Sequence, residues 1–82
     1  MTLWHVTTTK KLEKYQSSGG ILPPVRGWKF LQSAKAWALK TGRNVILRIE
    51  VPDEKSYPLP DHRPIGHAWW HDGMVHDWKV EP

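Results

Sequence analysis

Two stretches of this chain alternate apolar and polar residues with a period of two, the spacing of a strand with two distinct faces. LWHVTT, residues 3–8, sets Leu3, His5 and Thr7 on one face and Trp4, Val6 and Thr8 on the other. NVILRIEV, residues 44–51, sets Val45, Leu47, Ile49 and Val51 against Ile46, Arg48 and Glu50. Between them the period changes. Thr8 or Thr9 can cap a helix through KKLEKYQSS, with Leu12 and Tyr15 three apart on one face and Gly19-Gly20 as a left-handed stop. ILPPVRG reads as irregular, because Pro23-Pro24 can neither continue a helix nor join a central strand. Phe30, Leu31, Ala34, Trp37 and Ala38 then fall at helical spacing, predicting a second helix from about Ser33 to Thr41 that ends at Gly42.

The C-terminal third is richer in turn formers. PDEKSYPLPDHRPIG has four prolines and no apolar period, which predicts an extended loop. HAWWHDGMVHDWKV places Asp72-Gly73 between two β-prone runs, the signal of a two-residue hairpin. That hairpin would put His67, Trp69, His71, Met74, His76 and Trp78 on one face, and Ala68, Trp70, Val75, Asp77 and Lys79 on the other. Three histidines on a face suggest a metal site, yet His67 and His71 would lie about 13 Å apart at roughly 3.3 Å per residue. No metal is therefore assigned. The succession of elements predicts one α+β domain over residues 1–82, a small mixed β-sheet with two helices.

Size and charge narrow the partners. A domain of 82 residues buries only about 60–65% of its unfolded surface, so a homodimer is expected to help it. The absence of cysteine removes disulfides, thiolate metal sites and a cysteine nucleophile, and fits a reducing, cytoplasmic setting. No apolar run approaches the ~20 residues of a membrane span, and no signal peptide is read at the N-terminus. The net charge of +4 points to an anionic partner, nucleic acid or a phosphorylated cofactor. Six tryptophans supply core volume or stacking surfaces for bases. Lys10, Lys11 and Lys14 form a solvated helix face or a basic patch. Trp37, on the apolar helix face, reads as core.

LWHVTTTKKLEKYQSSGGILPP, GWKFLQSAKAWA and NVILRIEV, in that order, resemble the ADP-ribosyltransferase superfamily, closest to the poly(ADP-ribose) polymerases and RNA 2′-phosphotransferases. The resemblance implies an ADP-ribosyltransferase-like fold, NAD as cofactor, and transfer of ADP-ribose to a protein or nucleic acid. It also implies roles. His5 matches the first-strand histidine that holds a ribose of NAD, and Thr7 the following Ser/Thr that supports the nicotinamide amide. Trp28 or Phe30 takes the place of the aromatic that stacks on nicotinamide, and Ser33 that of the serine at the next helix. Arg26 has no secure counterpart but could hold the diphosphate. Breaking the nicotinamide–ribose bond passes through an oxocarbenium-like state, so such a site must fix the ribose and clamp the leaving ring.

The chain departs from the family at the late strand. Where the transferases carry a glutamate, GHAWWHDG offers His67, Ala68 and Trp69. His67 thus joins His5 as a candidate catalytic side chain in a minimal, divergent member. The RNA 2′-phosphotransferases use arginines and a histidine instead, but Arg26, Arg43, Arg48 and Arg63 form no matching motif. The alternative is a non-catalytic basic module that holds nucleic acid or a protein through aromatic and cationic side chains.

Overall fold

A computed structural model of the chain describes residues 1–60 and 67–82. They form a small α+β domain with six strands in one sheet and two helices. In chain order the elements are β1 Thr2–Thr7, α1 Thr9–Ser18, β2 Val25–Trp28, α2 Leu31–Thr41, β3 Val45–Glu50, β4 Ser56–Leu59, β5 Ala68–His71 and β6 Lys79–Val80. The sheet order is β4-β5-β2-β1-β3-β6. Each strand pairing among the described residues is antiparallel, so the sheet is not the mixed one expected. Among these residues no helix is long and apolar enough to cross a membrane.

The alternations of β1 and β3 are real and in register, with Leu3 opposite Ile49, His5 opposite Leu47 and Thr7 opposite Val45. One face of the sheet therefore carries Leu3, Val25, Leu47, Ile49 and Val51, joined by Ile21 and Val75 and covered in part by Leu12, Tyr15, Trp69 and Trp78. The other carries Val6, Trp28 and Ala68 under Ala34, Trp37 and Ala38 of α2. Trp37 is thus a packing residue, as its helical spacing implies, with its ring 5.7 Å from that of Trp28.

The helix ends follow the expected chemistry. Thr8 is extended and its side chain accepts from the Lys11 amide, while Gly19 and Gly42 close the two helices in the left-handed region. α2 begins two residues earlier than predicted, at Leu31, with Ala34 N–H bonded to the Phe30 carbonyl.

Three further expectations fail. The end of ILPPVRG is not irregular: Val25, Arg26 and Gly27 belong to β2, a central strand, and the two prolines lie just before it. Within the proline-rich stretch, Ser56–Leu59 forms β4. Pro58 is tolerated because β4 is at the sheet edge, where a missing N–H costs no ladder bond. Residues 61–66 of that stretch, Arg63 included, lie outside the described residues. The hairpin does not form, since both edges of β5 are occupied, by β2 and by β4. Val75 bridges to Ile21 instead, and β6 crosses to pair with β3.

Dissolving the hairpin also dissolves the three-histidine face. His71 is buried, and its Nδ1–H donates to Ser56 Oγ at 2.7 Å, whose own hydroxyl donates to the Pro52 carbonyl at 2.7 Å. His76 Nδ1 donates to the Gly19 carbonyl at 3.1 Å. Among the described residues no three His, Cys, Asp or Glu side chains come together in a way that could hold a metal.

Candidate functional site

β1 and β2 pair at Trp4 opposite Trp28. Continued, that register would set Val6 against Arg26 and close a ladder. Side chains take the two carbonyls instead. His5 Nδ1–H donates to the Arg26 carbonyl at 2.5 Å, and Arg43 Nη1 donates to the Val6 carbonyl at 3.4 Å. Backbone acceptors left by a ladder find other partners, and these two cap a sheet that parts along β1 and β2.

A cleft of about 710 Å³ opens at the parting. Its lining draws on both faces of the sheet: His5, Tyr15 and Ile21 on the α1 side, and Val6, Trp28, Trp37 and Ala68 on the α2 side. Four cations stand around it, Lys11, Lys14, Arg26 and Arg43, and its described lining contains no carboxylate. The volume falls in the range of small-molecule sites, roughly 300–1,000 Å³.

α1 supplies the cationic wall through simple geometry. Thr8 caps the helix directly after β1, so the next two turns fold back over the strand just left. Lys11, Lys14, Tyr15 and Ser18 are spaced i, i+3, i+4 and i+7 and all line the cleft. That spacing usually marks an apolar face. Here it is polar, and α1 contains no buried residue.

His5 sits at the centre of a hydrogen-bonded chain. Since a carbonyl only accepts, Nδ1 carries the proton, and Nε2 accepts from the Tyr15 hydroxyl at 3.2 Å. The same phenol lies 3.4 Å from Thr7 Oγ1. Burial lowers the pKa of His5 below the usual 6.5; the bond to the Arg26 carbonyl opposes this, while Lys11 and Arg43 add to the lowering. The imidazole is therefore neutral near pH 7, in its Nδ1–H form.

Of the candidate site residues, His5 and Trp28, assigned by resemblance, and Arg26, which has no secure counterpart, meet in the cleft. Trp28 is 4% exposed and presents little ring surface there. Thr7 is 1% exposed and reaches the cleft only through Tyr15. Ser33 is buried in α2, outside the lining. Phe30 is exposed and also outside it, its ring 5.8 Å from that of His67 in an edge contact. His67 accordingly stands apart from the cleft, and β5 contributes Ala68 in its place.

Tyr15 and Arg43 are the residues that sequence reasoning passed over. Tyr15 has the spacing of a core residue and does pack on Trp78, with ring centroids 6.1 Å apart; only its hydroxyl belongs to the site. Arg43 follows the Gly42 stop and carries no motif. Searched against protein-family models, curated proteins and solved structures, the chain matches none of them.

Proposed function

We propose that this chain is a small, divergent ADP-ribosyltransferase-like domain whose cleft binds a diphosphate-bearing nucleotide, NAD or an ADP-ribosyl group. The observation that carries the proposal is the meeting of His5, Arg26 and Trp28 with Lys11, Lys14 and Arg43 in a single cleft free of carboxylates in its described lining. A diphosphate brings two negative charges, and carboxylates in the wall would oppose it. The parted strands offer polar contacts on the α1 side and aromatic and aliphatic ones on the α2 side, the two surfaces a nucleotide requires.

Binding is better supported than transfer. In the family a late-strand glutamate steadies the oxocarbenium-like cation, and here Ala68 of β5 faces the cleft. Transfer to a protein or nucleic acid acceptor would have to proceed without that charge. Calorimetry with NAD and with ADP-ribose tests the proposal directly. Heat of binding is expected for the wild type, with marked loss in His5→Ala and in the double variant Lys11→Gln/Arg43→Gln. Absence of heat with both ligands would sink it.

The exposed cations of α1 favour one second function, a basic module holding nucleic-acid phosphates. Its signature would be affinity for an oligonucleotide that falls steeply with salt and survives His5→Ala.

A further inference from the structure

We infer that Tyr15, rather than His5, is the side chain that meets the ribose of the bound nucleotide, with His5 and Thr7 as positioning residues. This rests on the nucleotide-binding role proposed above. A neutral imidazole has one donor and one acceptor, and both are engaged: Nδ1–H on the Arg26 carbonyl at 2.5 Å, Nε2 on the Tyr15 hydroxyl at 3.2 Å. A ligand can reach the imidazole only by breaking one of these bonds. The phenol oxygen is differently placed. Its hydrogen goes to His5 Nε2, and Thr7 Oγ1 at 3.4 Å can donate to one lone pair, leaving a second lone pair.

The ring that carries this oxygen is held firmly. It lies 5.9 Å from the His5 ring and 6.1 Å from that of Trp78, centroid to centroid, and Tyr15 lines the cleft together with Lys11 and Lys14. Geometry fixes selectivity as well. With its hydrogen committed to His5, the phenol can only accept from a ligand. A ribose hydroxyl can donate to it, whereas an ionised phosphate oxygen cannot. The phosphates are left to Lys11, Lys14, Arg26 and Arg43, and the sugar to Tyr15. His5 acts through the phenol by orienting its hydrogen, and Thr7 by occupying the other side.

The test is a comparison of six affinities by calorimetry. NAD, and analogues lacking the 2′- or 3′-hydroxyl of the nicotinamide-side ribose, are titrated into the wild type and Tyr15→Phe. This variant keeps the ring contacts and loses only the oxygen. Tyr15→Phe should bind NAD about tenfold more weakly, the worth of one hydrogen bond. One of the two deoxy analogues should bind the wild type with a similar loss, and Tyr15→Phe should then lose nothing more with that analogue. Thr7→Val, which keeps the branched shape, should show the same pattern more weakly. Equal NAD affinity in Tyr15→Phe, or losses that multiply for both analogues, would overturn the assignment and leave nucleotide binding standing. A wild type that binds neither NAD nor ADP-ribose would overturn both.

Discussion

The parting of β1 and β2 depends on how closely the strands meet just before it, and Gly27→Ala probes that contact. A Cβ at Gly27 would lie 2.8 Å from the Leu3 Cβ and 3.3 Å from the Trp4 carbonyl oxygen. Carbon atoms in contact prefer about 3.5–4.0 Å, so the methyl intrudes by roughly 0.7 Å or more. Nothing nearby can yield cheaply. Leu3 is fully buried, the Leu3 atom concerned is the one joined to the backbone, and the Trp4 oxygen is backbone itself. Overpacking of this kind costs about 1–3 kcal/mol. In a domain of this size each kcal/mol moves the thermal midpoint by about 4–8 °C, so a drop of at least about 4 °C is expected. Gly27 is not among the residues with positive φ, so the cost comes from contact and not from backbone conformation. Gly19→Ala is the matched control: the space around it is open, and its cost comes only from φ +83. Thermal unfolding followed by tryptophan fluorescence measures both. Strand β2 must retreat from β1 to admit the methyl, which lengthens the His5–Arg26 bond, so nucleotide affinity should fall in Gly27→Ala and not in Gly19→Ala. A thermal midpoint within about 2 °C of the wild type would refute the claim that this contact sets the strand spacing.

Three further outcomes are expected. Burial depresses the pKa of His5 in the folded state, so below the usual 6.5 the unfolded chain binds this proton more readily than the folded one. The stability His5 contributes is full above that pH and is lost as the pH falls through the folded value; His5→Gln should flatten this part of a stability-against-pH curve, and an unchanged slope would count against a buried neutral His5. Ser56→Ala removes the acceptor of the buried His71 Nδ1–H and should cost about 1–3 kcal/mol in a denaturant titration, whereas a loss below about 0.5 kcal/mol would show that His71 finds another partner. Lys11→Gln and Arg43→Gln should each weaken nucleotide binding and reduce its salt dependence, and only Lys11→Gln should leave the thermal midpoint within about 2 °C, because Arg43 also caps the Val6 carbonyl; equal affinity at low salt would separate these cations from the ligand.

The readable parts of the sequence were those where one local rule decides. The period of two in LWHVTT and NVILRIEV places β1 and β3, and Thr8, Gly19 and Gly42 mark helix ends by hydrogen bonding and φ. What misleads is pairing over long range. Asp72-Gly73 has the chemistry of a hairpin turn, but turn preference is worth little against two occupied edges, and β5 has β2 and β4 beside it. Strand β2 is hidden because four residues containing Arg26 and Gly27, after two prolines, have no period to read. Within the site, His5, Arg26 and Trp28 could be named because the resemblance assigns them or their neighbourhood. Tyr15 could not, because a residue that packs by its ring and acts by its hydroxyl has the spacing of core. The Lys11/Lys14/Tyr15/Ser18 stripe was the available signal: a core-facing spacing filled with polar residues needs something polar to face.

The state of His5 follows from backbone geometry more than from its own neighbours in sequence. Gly27 lets β2 approach Leu3 closely, and the strands pair at Trp4 and Trp28. Past that point the Arg26 carbonyl accepts from an imidazole where a ladder would give it a backbone amide. That bond fixes the proton on Nδ1, which makes Nε2 an acceptor, and this in turn draws the Tyr15 hydrogen away from the cleft. The open lone pair on the phenol is thus set by a carbonyl on the far side of the histidine. A substitution that sends the His5 proton to Nε2 would reverse the direction of the Tyr15 hydroxyl and turn an acceptor into a donor. The strand histidine matters here chiefly because it carries the polarity of the parted sheet into the cleft.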